Sequence, residues 1–143
     1  MTEVGAKSAI GNVSSNEPAV IWKITDITVD PQCTQSFSIP AINGHLVSAA
    51  FEVETTDIYS SDFRASFAPQ NDWTIIDSDG YTQINPTSDA SIFCLPQDVP
   101  KDLVPASKYK FTIVFDSKSP TGVLQYRPSM GSSDAGWEWN FPS

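Results

Sequence analysis

The sequence has little that a metal centre or a nucleic-acid site would use. It contains one histidine, two cysteines and eight lysine and arginine residues against seventeen aspartate and glutamate residues, for a net charge of −9. A protein of this charge repels the phosphate backbone of DNA and RNA and the headgroups of anionic lipids. Cys33 and Cys94 follow no CxxC spacing, and only His45 could help them to hold zinc. We therefore expect neither nucleic acid, nor an anionic membrane, nor a zinc ion as a partner, and we predict no cofactor.

Membrane and export signals are also missing. No apolar run approaches the ~20 residues that a transmembrane helix needs, and Met1 is not followed by a basic segment and an apolar core. The protein is therefore either cytosolic or exported with its leader removed. Residues 1–18 are small, polar and aperiodic, and they include Gly5, Gly11 and Pro18. This composition predicts a flexible leader or tether.

From residue 19 onward the chain is rich in short segments in which apolar and polar residues alternate. In the clearest of these, residues 46–54, Val47, Ala49 and Phe51 share one face of a strand. About eight to ten such segments, with turn residues between them and no helical period longer than a turn, are typical of a β-sandwich. The residues predicted to face the core are Val20, Trp22, Ile24, Val47, Ala49, Phe51, Val53, Ile75, Phe111, Ile113, Phe115 and Leu124.

Turn and breaker residues separate the predicted strands. Asn43-Gly44 and Asp79-Gly80 indicate tight turns. Residues 35–39 look extended up to Pro40, whereas the prolines within residues 96–105 indicate a connection. The sequence thus predicts one all-β domain over residues 19–143, an antiparallel sandwich of the immunoglobulin-like kind.

The two cysteines form either a disulfide or two free buried thiols. In an exported domain the disulfide is favoured, because redox compartment governs cysteine pairing. A Cys33–Cys94 bond would tie the loop after the first strand to the segment before the proline-rich connection. In the loop-entropy model it would stabilise the fold by roughly 3–5 kcal/mol.

Several segments taken in order resemble a known family. They are residues 19–29 (AVIWKITDITV), Cys33, and residues 51–54 (FEVE), 76–81 (IDSDGY), 91–94 (SIFC), 109–116 (YKFTIVFD) and 123–128 (VLQYRP). The chain resembles the telokin-like family of immunoglobulin-fold extracellular domains, found mainly in Gram-positive secreted proteins and lipoproteins. The resemblance implies a secreted or extracellular location and no catalytic residue. It also implies a lipidated cysteine before the tether, and this sequence lacks one, so lipid anchoring is an expectation for a longer precursor only.

Residues that could carry catalysis or bind calcium are present without a complete motif. His45 follows a turn, and the sequence contains no GxSxG motif whose serine His45 could activate as a general base. The segment from Asp77 to Gly80 fails the EF-hand spacing, since Thr82 and Ser88 stand where its glycine and glutamate belong. A looser calcium site in the loops stays an alternative. The acids from which a hydrolase could draw a pair are Glu52, Glu54, Asp57, Asp62, Asp72, Asp77 and Asp79.

Aromatic residues suggest a second kind of site. A stacking platform for sugars would require at least two of four residues to lie exposed in a line, namely Trp73, Tyr81, Tyr126 and Trp137. Alternation favours the opposite for Trp137 and Trp139, because Glu138 and Asn140 between and after them suit the solvent side.

Three functions follow from these observations. We expect a non-enzymatic exported or cell-envelope domain that binds a protein or peptide through its loops or an unpaired sheet edge. The alternatives are a carbohydrate-binding module that uses the aromatic platform and a hydrolase that uses acidic residues.

Overall fold

The computed structural model describes residues 1–12, 16–60, 66–67, 72–128 and 136–142. The strands and the helix in these residues are β1 (Ser8–Asn12), β2 (Glu17–Val29), β3 (His45–Thr55), β4 (Trp73–Asp77), β5 (Thr82–Ile84), α1 (Asp89–Ile92), β6 (Lys108–Ser117), β7 (Gly122–Tyr126) and β8 (Trp137–Phe141). They form two antiparallel sheets, in the orders β1-β2-β3-β6 and β5-β4-β7-β8. The predicted all-β sandwich is confirmed. No helix in the described part of the chain is long and apolar enough to cross a bilayer.

The first sheet is built on the alternation visible in the sequence. Val47, Ala49, Phe51 and Val53 of β3 all face the second sheet and are buried. The register of β3 against β6 is unbroken from His45 opposite Ser117 onward, whereas β2 against β3 shifts between Ile24 and Asp26. This bulge keeps the apolar residues on both of its sides turned inward.

The core is dominated by aromatic side chains that meet between the two sheets. Trp73, Tyr126 and Trp137 are neighbours in register across β4, β7 and β8, and their rings form one row. Trp22 of the opposite sheet packs edge-on against Tyr126 and Trp137. All of the residues predicted to face the core are buried.

The hairpin between β4 and β5 has the predicted turn. The N–H of Gly80 donates to the carbonyl of Asp77, and Gly80 has a φ of +89°, a conformation that favours glycine. The Asp77 carboxylate accepts hydrogen bonds from the N–H groups of Asp79 and Tyr81 at 2.9 and 3.0 Å. Asp77 and Gly80 therefore close the turn through side chain and backbone together.

Two local predictions were wrong. The segment predicted as a tether contains β1, whose Ile10 lies opposite Val20 and is buried in the core. Scattered apolar residues without strand alternation are a weak sequence signal, and β1 is defined by its pairing with β2. Residues 35–39 form no strand; instead a turn is closed by the N–H of Ser38 on the carbonyl of Gln35. The sequence also predicts a short strand over residues 63–67, and this segment lies mostly outside the described residues.

Candidate functional site

A disulfide joins two segments that lie on the outer face of the first sheet. Cys33 and Cys94 are bonded with an S–S distance of 2.09 Å, so the predicted disulfide is confirmed and free thiols are excluded. The N–H groups of Thr34 and Gln35 both donate to the carbonyl of Cys94, at 2.9 and 3.2 Å. We call residues 31–44 and 86–97 together the cover.

Asp116 anchors both segments of the cover to β6. Its side chain is fully buried, although it stands on the outer face of the sheet. The carboxylate accepts from the N–H groups of Ile42 and Asn43 at 2.8 and 3.0 Å, and from the Ser88 hydroxyl at 2.6 Å. The three donors come from both segments, so one carboxylate joins the two to a single strand. Sequence reasoning missed Asp116, because a polar residue in an outward strand position looks like solvent-exposed charge.

Gln97 makes a second attachment between the cover and β6. Its side-chain oxygen accepts from the N–H of Val114 at 3.2 Å. Its side-chain nitrogen donates to the carbonyls of Ser91 and Ile92 at 2.9 and 3.1 Å, at the end of α1. One amide thus closes the helix and fixes it on the strand.

A small second core lies beneath the cover. It consists of Leu46, Ala90, Cys94 and Val114, with Cys33, Ala41 and Leu95 packed against it. This apolar burial and the hydrogen bonds of Asp116 and Gln97 hold the cover in one arrangement.

The outer surface of the cover exposes a group of large apolar side chains, which we call the apolar patch. Their exposed fractions range from 39% to 62%. The rings of Phe37 and Phe93 meet edge-on across the two segments, with centroids 5.4 Å apart. The members of the apolar patch are Phe37, Ile39, Ile42, Ile92 and Phe93.

The other half of the same sheet face is uncovered and charged. A groove of about 480 Å³ lies over β2, β3 and the start of β6. Its charged lining residues are Lys7, Lys23, Glu52, Glu54, Lys108 and Lys110. We call it the charged groove.

The predicted sugar platform is wrong. Trp73 and Tyr126 are fully buried, and their rings stack on each other with centroids 4.5 Å apart. Trp137 is half-buried against the same cluster, as its alternation with Glu138 suggests. Only Tyr81 of the four is exposed, at 73%, and it precedes β5 at the opposite edge of the sheet from β8. The cause is the register, which places three of the four residues on the inner face.

Hydrogen bonds complete the buried aromatic row. The Tyr126 hydroxyl donates to the carbonyl of Ser66 at 2.6 Å, and the indole N–H of Trp73 donates to that of Phe67 at 3.2 Å. Burial, with a smaller effect from the charge of Asp72, raises the pKa of Tyr126 far above its usual value. Tyr126 is therefore a structural donor that stays protonated.

The other candidate residues are spread over the molecule. His45 begins β3, and its Nδ1 lies 3.0 Å from the exposed carboxylate of Asp30. Asp57 and Asp79 are exposed in turns, Asp72 is half-buried just before β4, and Asp62 lies outside the described residues. No three His, Cys, Asp or Glu side chains in the described ranges are grouped as a metal site. Of the acids named in the sequence, Glu52 and Glu54 are the pair that share a groove, and both stand among lysines.

Comparisons with protein-family models, with curated proteins and with solved structures found no match. The telokin-like resemblance therefore stays a prediction that depends on the sequence segments alone.

Proposed function

We infer that this chain is a non-enzymatic, exported interaction domain that binds a protein partner through the apolar patch. The observation that carries this proposal is the concentration of five exposed, large apolar side chains on two segments tied by a disulfide. Contiguous exposed apolar surface on a soluble domain commonly marks an interaction site, whereas single exposed apolar residues need no explanation.

The rigidity of the cover supports the proposal. The segments that carry Ile42 and Phe93 are fixed by the disulfide, by Asp116 and by Gln97. A surface that is ordered before binding loses less conformational entropy when a partner docks. Aromatic side chains such as Phe37 and Phe93 offer a large contact area with few rotatable bonds, which is the character of binding hot spots.

The strand order supports an immunoglobulin-like assignment. In that fold, strands A, B and E share one sheet, and C, F and G share the other, with C′ added beside C. The orders β2-β3-β6 and β5-β4-β7-β8 follow this scheme, with β1 added next to β2. The buried Trp73 stands on the strand equivalent to C. The disulfide differs, because it joins two connections instead of strands B and F.

The disulfide also supports an extracellular location. Disulfides persist in oxidising compartments and are rare in the cytosol of most organisms. With the resemblance to secreted Gram-positive domains, this favours a secreted protein or a domain held at the cell envelope by a lipid anchor in its precursor.

The test is a matched pair of substitutions on two exposed isoleucines. Ile92→Asp alters the apolar patch, and Ile84→Asp makes the same change on β5, where Ile84 is 77% exposed. A partner is first isolated by cross-linking the intact domain to secreted and envelope proteins of its source, and the Kd is then measured for each variant. We expect Ile92→Asp to weaken binding by roughly tenfold or more, and Ile84→Asp by less than about twofold.

Two results would overturn the proposal. Equal effects of the two substitutions would mean that the apolar patch is not the site. Retention of a cell-wall glycan with no protein bound would mean that the ligand is a carbohydrate, bound elsewhere than at the predicted aromatic platform.

A further inference from the structure

The charged groove collects cations in a chain that has few of them. Four of the eight lysine and arginine residues line it, namely Lys7, Lys23, Lys108 and Lys110, together with Glu52 and Glu54. The groove is therefore locally positive on a protein whose net charge is −9. Such a local reversal attracts anionic groups that the rest of the surface repels.

The register arranges these charges in a fixed order across the sheet. Glu52 on β3 lies opposite Lys23 on β2 and opposite Lys110 on β6. In the next row Glu54 lies between Ile21 and Lys108. Since neighbouring strands are about 4.8 Å apart, the two lysines that flank Glu52 stand on strands about 10 Å apart. The pattern along this row is positive, negative, positive.

The charged side chains of the groove form no ion pair with any residue that the structure describes. The one ion pair between side chains of the described residues joins His45 and Asp30, away from the groove. Lys108 and Lys110 are exposed, and Glu52 is half-buried. The lysine ammonium groups have three N–H donors each and can therefore donate hydrogen bonds to a ligand.

The central glutamates decide which anionic ligand fits. A phosphate polymer carries only negative charge and would be repelled by Glu52 and Glu54, whereas a peptide can place backbone N–H groups over them. In a polyproline II helix, residues three apart lie on one face about 9 Å apart. This spacing matches the separation of the flanking strands.

We propose that the charged groove binds an extended peptide in which acidic residues three positions apart contact the flanking lysines, while backbone N–H groups of the peptide face Glu52 and Glu54. This site is distinct from the apolar patch, and its ligand does not depend on the partner proposed for that patch.

The probe is a synthetic peptide of three Glu-Lys-Pro repeats, and its block-ordered isomer and inorganic polyphosphate are the comparisons. Binding is followed by NMR chemical-shift changes of the backbone amides at low ionic strength. The test variant is Lys108→Glu/Lys110→Glu. The control is Lys101→Glu/Lys118→Glu, which makes the same charge change at two exposed lysines outside the groove. All substitutions are at exposed positions, and thermal unfolding verifies that each variant folds.

We expect the repeat peptide to shift amides of β2, β3 and β6 around the groove and to bind more tightly than either comparison ligand. The groove variant should weaken this binding about tenfold, and the control less than about twofold, because contact charges act more strongly than distant, screened ones. Equal loss in both variants, tighter binding of polyphosphate, or no preference for the repeat peptide over its isomer would each overturn the proposal. Ile92→Asp should leave peptide binding unchanged, so failure here and failure of the apolar patch are distinguishable.

Discussion

The two halves of the outer face of the first sheet lie on the same strands, β3 and β6. Side chains are buried in one half and exposed in the other. At one end Leu46 and Asp116 are paired in register and buried beneath the cover. At the other end Glu54 and Lys108 are paired in the same register and exposed beside the charged groove. Strand geometry assigns all four side chains to one face. What lies above that face determines whether a side chain becomes core or surface.

Removing the disulfide should have the largest effect on stability, and within the folded state it should loosen the covered half alone. Cys33→Ala/Cys94→Ala opens a link between residues 61 apart in sequence. We expect the free energy of unfolding to fall by about 4 kcal/mol in the loop-entropy model. Hydrogen exchange at the amides of Ile42 and Asn43 should accelerate more than exchange at Val53, which follows only the loss of global stability.

The near-UV circular dichroism of the buried tryptophans serves as the control for the sandwich core. If removing the disulfide also abolishes that signal, the disulfide stabilises the whole sandwich. The contrast between the covered and the open half would then be wrong.

Asp116→Ala should come next. It removes the acceptor of three part-buried hydrogen bonds from the cover, and hydrogen bonds to a charged group contribute about 1.5–3 kcal/mol. We expect a loss of about 3 kcal/mol in urea unfolding, with little change in the m-value. Asp79→Ala, at an exposed position, is the matched substitution and should change stability by less than about 0.5 kcal/mol. Similar losses for both would show that Asp116 is not the anchor.

Gln97→Ala tests the second attachment and should have an intermediate effect. The substitution removes the side-chain bonds to Val114, Ser91 and Ile92, so we expect a loss of about 1–2 kcal/mol. Gln35→Ala removes the same side chain from the other segment of the cover, where the hydrogen bonds of Gln35 are made by its backbone N–H and carbonyl. The difference in melting temperature between the two variants measures the contribution of the Gln97 side-chain hydrogen bonds. Equal melting temperatures would contradict the role of Gln97 as an attachment of the cover.

The smallest effect on stability is expected in the open half. Glu52→Gln and Lys110→Gln each remove a charge that makes no ion pair with another described residue. Surface charges outside ion pairs contribute within about 0.5 kcal/mol. Denaturant unfolding at low and at high salt checks this. A loss above about 1 kcal/mol in either variant would mean that the charged groove is part of the fold's stability instead of a free surface.

Much of the sandwich could be predicted from local sequence signals. Alternation in β3 and β6 identified the inward residues, and Asp79-Gly80 identified the hairpin between β4 and β5. These features depend on residues that are close in sequence, whose backbone preferences and side-chain period are visible without a partner. The prediction of a sugar platform was wrong because it depended on strand pairing, which local signals do not show. Alternation placed Trp137 inward, but the inward faces of Trp73 and Tyr126 follow from the pairing of β4 with β7.

The candidate site was much less predictable. The turn at residues 35–38 and the short helix α1 are closed by local hydrogen bonds, but their positions on the sheet depend on the disulfide and on Asp116. The apolar patch forms only where the two segments of the cover meet. Asp116 is the clearest instance, since its carboxylate meets donors that are 28 to 74 residues away. A local sequence pattern cannot predict hydrogen-bond donors that lie so far away along the chain.

The sequence by itself determined which side of each main strand faces inward, because period-2 alternation and turn chemistry are local properties of the chain. Only the tertiary structure decided which outward positions are buried. A carboxylate can be buried where three donors from distant segments converge on it, and a lysine six positions away on the same strand stays exposed where nothing covers it. That convergence is a property of the folded chain as a whole.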